Sequence, residues 1–383
     1  MSVFAFAARV NQSLADAFGR VRRQSDAATA VSMWMLIALL FAWAALLETQ
    51  FFVVGLIVGS VLALGAVGLT LIYGILRFAN FAHGDMMMMG GYLTFFFLSG
   101  VLVGERLDTD VGISLDQLPG ASTRLGDLTF GYGFLMALGL AGLVMAALSV
   151  GLDRLVYRPL RRRGSGIVMF AVASLGIAFS TRALIQIIWG PDPRIYFQGI
   201  HPAREYPFDV LLKTDQLFIF GVALSMAAMV YVLLFRTRLG KAMRAFADNP
   251  DLALVSGINT DRVIAWTWVF AGALMAIAGS LLALQANLKP DLGFTQLLPL
   301  FAAAILGGIG KPHGAFIGAM VVAVAQETSV QFDSVINSAV DWITLGGVTP
   351  EFKLSAGYKP GVAFAILILI LLLRPQGLFG KET

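Results

Sequence analysis

Long apolar runs separated by short polar segments organise the whole chain: 30–47, 51–76, 86–104, 129–151, 165–189, 215–235, 263–286, 296–309, 313–326 and 360–373. Several reach about 18 residues or more, the length a helix needs to cross the hydrocarbon core of a bilayer. The runs at 296–309 and 313–326 are each too short to span comfortably, so they read as two half-helices or one broken hairpin. The pattern predicts an all-α polytopic membrane protein with about eight to ten membrane helices, some broken or half-length. Because the runs cover the chain evenly, one membrane domain over 30–376 is expected. A cytoplasmic amphipathic segment, 1–29, would precede it, and a cytoplasmic tail, 377–383, would follow.

Composition agrees with that class. Only 13% of the 383 residues are charged and 58% are hydrophobic, whereas a soluble domain carries about 25% charge. There is no cysteine, which removes disulfides and thiolate metal sites, and the three histidines, His83, His201 and His313, are far apart in sequence. No metal or cofactor is expected. The net charge of +4 is gathered in short segments beside apolar runs, not in the extended basic face that nucleic acid would require. The groups Arg154–Arg163 and Arg236–Arg262 should both be cytoplasmic by the positive-inside rule. Alternation then puts both termini inside and the loops 105–128, 190–214 and 327–358 outside. The first run has no small-residue cleavage site after it and reads as an uncleaved span.

Two places interrupt the apolar pattern. Between Leu76 and Met86 the chain carries Arg77, Asn80, His83 and Asp85. Such groups are costly in hydrocarbon unless protein or water meets them. Between 304 and 318, Gly307, Gly308, Gly310 and Pro312 break a second apolar stretch. Interrupted helices in both halves of a chain point to a solute site or pathway between the halves. The breaks at 77–85 and 307–314 are therefore expected to approach each other, and Arg77, Asn80, His83, Asp85, Gly307, Gly308 and Gly310 are the pathway candidates. A competing reading is that His83 and Asp85 cap and tether the helix that starts near residue 84. Met86–Met89 reads as lipid or core contact, with a pathway lining for apolar side chains as the alternative, and the GxxxG pairs Gly55/Gly59 and Gly314/Gly318 read as tight packing within one subunit or as a dimer face. Arg182, near one end of its span, reads as a snorkelling side chain.

The basic segment 236–262 predicts two short helices. Gly240–Ala247 is helix-forming, Asn249 suits an N-cap, Pro250 the first helical position, and Asp251 the positive end of the dipole. Gly257 supplies the stop. Met243, Phe246, Leu252 and Val255 would form an apolar face for docking to a partner or for lying on lipid.

No catalytic constellation is evident. Gly310-Lys311 is not a phosphate-binding loop, because Ile305 and Pro312 occupy positions that require Gly and Ser/Thr. No Asp/Glu/His chain of the kind used by proton-coupled carriers runs through the spans. An enzyme is not expected.

Four separated motifs resemble the permeases of branched-chain amino acid ABC transporters, of the LivH type. They are Gly68 to Asp85, continuing through Gly90-Gly91-Tyr92; Arg244-Ala245 with Asp248-Asn249-Pro250, Ala253 and Gly257-Ile258-Asn259; Gly307-Gly308-Ile309-Gly310 with Gly314-Ala315 and Gly318; and Leu373 to Gly380. The resemblance covers about residues 50–380. It implies a permease of the bacterial inner membrane working with a second homologous permease subunit, two ATPase subunits, a periplasmic solute-binding protein and membrane lipid. It also implies that Arg244, Ala245, Asn249, Ala253 and Gly257 couple to the ATPase. Similar permeases handle urea, short amides and other amino acids, so the solute stays open. A secondary transporter, the other class, would show coupling-ion dependence and have no ATPase partner.

Overall fold

The computed structural model describes residues 29–104, 107–110, 114–197, 202–331, 356–374 and 376–380. The N-terminal segment to residue 28 and most of the 327–358 loop lie outside the described residues. Among those described, six helices are long and apolar enough to cross a membrane. They are α1 (Thr29–Leu47), α2 (Thr49–Leu76), α4 (Tyr132–Leu152, extended by a π turn and α5, Arg158–Arg162), α6 (Ile167–Trp189), α7 (Thr214–Arg236) and α10 (Thr260–Gln285). Four shorter apolar helices accompany them: α3 (His83–Ser99), α11 (Leu292–Gly307), α12 (Pro312–Thr328) and α13 (Lys359–Leu373). Two short helices, the amphipathic α8 (Arg238–Asp248) and the mostly apolar α9 (Pro250–Val255), occupy the basic segment. The fold is that of a polytopic all-α membrane protein.

The apolar run 86–104 is not one helix. Gly100, in the left-handed region at φ 71°, closes α3. Residues Val101–Gly104 then form β1, antiparallel to β2 (Leu107–Asp110) with Val101 opposite Asp110. β-branched valines beyond a glycine stop suit a strand better than a helix. A second short hairpin pairs β3 (Arg204–Tyr206) with β4 (Val210–Leu212).

α2 and α10 are buried over most of their length, and the shorter α3, α11 and α12 pack on them. Small residues permit this. A Cβ on Gly279 of α10 would overlap the Met87 carbonyl of α3, and one on Gly90 of α3 would overlap the Ala276 backbone. Gly55 and Gly59 of α2 lie against Val324, Met320 and Ala323 of α12, so that GxxxG pair packs within the chain. Met86, Met87 and Met88 are core residues.

The bundle has two distinct ends. At one, Arg77 donates to the Ala247 carbonyl, Arg158 pairs with Asp261 at 2.5 Å, and Leu378 N donates to Leu306 O at 2.7 Å. At the other, Gln50 exchanges hydrogen bonds with Leu211, Thr129 binds Asp215, Arg204 pairs with Asp127, and Arg194 bridges to Leu288. The two arginine-rich segments share the first end.

Candidate functional site

Arg77 ends α2. Its φ of 57° is left-handed, its N–H returns to Tyr73 O at 2.8 Å, and its guanidinium reaches Ala247 in α8. The next five residues run inward instead of capping a loop. Phe81 N donates to Ser174 Oγ of α6 at 3.1 Å, and His83 Nε2 lies 2.8 Å from the Gly65 carbonyl. Gly65 is about three turns, roughly 17 Å, back along α2, so α3 begins deep in the bundle.

α11 begins in the same place from the opposite direction. The segment 286–291 enters from the end that holds the Arg194–Leu288 bridge. A Cβ on Gly293 would overlap the Gly84 carbonyl, and one on Gly84 would overlap Gly293. Only glycine permits this backbone contact. From it α3 runs toward Tyr196, whose hydroxyl donates to Gly91 O at 2.8 Å, and α11 runs toward the opposite end. Two interrupted helices therefore start side by side in the interior and diverge, the arrangement used at solute sites of membrane carriers.

Inside the bundle the first break pairs with the start of α11, and the 307–314 turn lies at the basic end beside the end of α2. Gly308 and Gly310, at φ 97° and 83°, form a tight turn between α11 and α12 at the basic end. The helices close on each other because Gly307 meets Gly314 and Gly318 meets Ala303. Gly310 packs on Gly74 of α2, one turn before Arg77. The partner break at 286–291 was missed, although Lys289-Pro290-Asp291 after an apolar run is its signal.

Asn80, His83 and Asp85 are all buried. Asn80 Oδ1 accepts from Ala82 N at 3.2 Å and from the Tyr157 hydroxyl at 3.3 Å. The π turn Asp153–Tyr157 places that tyrosine, which stacks on Trp268 at 5.2 Å. Asp85 accepts two hydrogen bonds from Arg182, from Nε at 2.9 Å and Nη2 at 3.1 Å. Arg182 is thus drawn inward to a carboxylate and does not snorkel, because charge pairing within the bundle outweighs reaching the interface.

At the basic end three caps act in series. Thr237 accepts from Gly240 N at 3.0 Å, Asn249 from Leu252 N at 3.0 Å, and Asn259 from Arg262 N at 2.9 Å. Gly257 follows α9 at φ 79°. Arg244, Ala245, Asn249 and Gly257 are exposed, whereas Ala253 is buried against the chain's own helices. The expected apolar docking face divides: Met243 and Phe246 are buried in the core, and Leu252, Leu254 and Val255 are exposed. α8 folds back on the end of α7, which turns Met243 and Phe246 inward and lays Arg244 over the Phe235 ring at 4.8 Å. A cavity of about 320 Å³ opens here, lined by Gly74, Arg244, Asp248, Gly310, Lys311 and His313 among others. It joins one residue of the coupling set to the glycine turn.

The chain matches the family described as branched-chain amino acid transport system / permease component over residues 51–371. It is 30% identical over 334 residues to the high-affinity branched-chain amino acid transport system permease protein LivH of Escherichia coli K12, covering 85% of this chain and 94% of that protein. It is 29% identical to BraD of Pseudomonas aeruginosa, a permease of the same description, with the same coverage. Similarity extends at 26% identity to the xylose transport system permease XylH of Haemophilus influenzae, over 69% of this chain and 64% of that protein. No solved structure matches the chain. A match across most of the chain, carrying the interrupted helices and the capped loop with it, makes this protein a member of the branched-chain amino acid transport permease family.

Proposed function

We propose that the chain is the permease subunit of an ATP-driven importer that moves branched-chain or related amino acids across the bacterial inner membrane. It would work with a second homologous permease subunit, two ATP-binding cassette subunits and a periplasmic solute-binding protein. The observation that carries this reading is the α8–α9 unit. A series of caps holds it rigidly, Arg77 ties it to the first helix break, and it presents Leu252, Leu254 and Val255 to solvent at the basic end. A rigid, exposed element joined to the interior break is what transmits an ATPase movement to a pathway. The basic end is then cytoplasmic, as the clustered arginines favour. Both termini lie inside, with 30–376 as the membrane domain and 236–262 as its coupling loop.

In this reading Arg244, Ala245, Asn249 and Gly257 contribute to the ATPase contact and Ala253 seats α9 on the bundle. Asn80 and His83 position the start of α3 and Asp85 holds Arg182, while Arg77 and the glycines 307, 308 and 310 link that region to the coupling end. Reconstituting the complex and measuring which amino acids stimulate ATP hydrolysis and uptake tests the proposal. Leucine, isoleucine or valine should stimulate both, and uptake driven by an ion gradient without ATP would reject it.

A further inference from the structure

We infer that Arg182 is a contact for the solute carboxylate on a water-lined face formed by α6 and the start of α11. Asp85 would hold its guanidinium, and Phe179 and Phe294 would flank it. The inference rests on the proposed import of amino acids and names a recognition point within it.

Arg182 stands seven residues before the last residue of α6, about 10 Å inside that end. Most exposed side chains of α6 are apolar, Val168, Val172, Leu175 and Ile187 among them, but Ser180 and Gln186 are exposed on either side of Arg182. A lone guanidinium among them would be expected to reach for the interface. Instead it turns inward, and the two members of the pair are unequal: the side chain of Asp85 is 1% exposed and that of Arg182 is 19% exposed. A charged group at this depth nearly always faces a bundle interior or a water-filled cavity. Its accessible part therefore marks the face of the chain where lipid is excluded.

The surroundings suit a zwitterion with an apolar side chain. Asp85 uses the Nε and Nη2 edge of Arg182, which leaves Nη1 directed away from the carboxylate. The Phe294 ring lies 4.6 Å from the guanidinium carbon and the Phe179 ring 5.9 Å, and both residues are exposed. Phe294 sits beside the Gly84–Gly293 contact where the two interrupted helices begin. A solute carboxylate at Nη1 would place its aliphatic side chain against these rings. Because Asp85 already satisfies most of the arginine's charge, that contact is weak, and a transit site must be weak enough to release what it binds.

The absence of cysteine from the chain gives a direct test. Phe294→Cys in the assembled complex is treated with a charged, water-soluble methanethiosulfonate reagent, beside Leu143→Cys on the exposed face of α4 as a lipid-facing control. Labelling at position 294 should be at least tenfold faster than at 143; equal rates overturn the water-lined face. Asp85→Asn with Arg182→Gln then removes both charges without stranding either. Leucine uptake should fall tenfold or more while the yield of intact complex is unchanged. Normal uptake overturns the role of Arg182, and so does loss of assembly, which would make the pair a tether between α3 and α6. A wild-type complex that moves no amino acid rejects the proposed function instead, and it is distinguishable because the labelling rates do not depend on uptake.

Discussion

His83 shows how one buried side chain fixes a broken helix. It is fully buried and its Nε2 meets the Gly65 carbonyl, so it pins the first residue of α3 to the middle of α2. His83→Ala removes that bond and leaves a cavity, a loss of roughly 2–4 kcal/mol. The expected outcome is a lower yield and a lower melting temperature of the detergent-solubilised complex, not a fully assembled complex that is inactive. Gly257 is the contrasting case. It has open space around it, but its φ of 79° suits glycine. Gly257→Val should cost about 1–2 kcal/mol locally. Membrane insertion should be normal and solute-stimulated ATP hydrolysis reduced; unchanged stimulation would show that the turn is not needed for coupling.

At the scale of elements, backbone proximity decides which glycines matter. The α3–α10 contact requires Gly279, where a Cβ would overlap the Met87 carbonyl, whereas Gly139 on α4 has nothing within 4 Å. Gly279→Val should prevent accumulation of folded protein in the membrane, and Gly139→Ala should leave it unaltered or slightly raise it by improving helix propensity. Comparing the two by size-exclusion chromatography of solubilised membranes checks the packing. The α8–α9 unit owes its shape to different physics. Its caps at Thr237, Asn249 and Asn259 satisfy free amides at successive helix starts. With the turn geometry fixed, α8 lays its apolar side on the core and α9 keeps Leu252, Leu254 and Val255 outside.

For the whole molecule, that division predicts where a partner attaches. Val255 is 87% exposed and Ala253 is 3% exposed. In this cysteine-free chain, Val255→Cys should crosslink to the ATPase subunit with a short bifunctional reagent, and Ala253→Cys should not. Crosslinking only to lipid-directed reagents would place α9 on the membrane surface instead. The same end holds the glycine turn, the cavity beside Arg244 and the contact between Arg77 and Ala247. A displacement of α8 therefore has a covalent and hydrogen-bonded route to the interior start of α3.

Helix positions were legible in the sequence because a bilayer imposes a length and polarity rule on each segment separately. The runs at 51–76, 165–189 and 215–235 lie within two residues of α2, α6 and α7 at each end. Asn249, Pro250 and Gly257 were legible for a similar reason, since capping is decided within four residues. What a side chain meets across the bundle was not. Arg182 looked like a snorkelling residue until α3 placed Asp85 beside it, 97 residues earlier in the chain. Met243 and Phe246 looked available until α8 folded onto α7 and α10. The break at 286–291 gained its meaning only from Gly293 lying on Gly84. The sequence determined the helical membrane class, the position of most long helices and the caps of the basic segment, because those depend on local spacing and on the solvent around each segment. Tertiary structure alone decided which breaks meet, which charges pair and which apolar residues remain outside, because those follow from contacts between residues far apart in the chain.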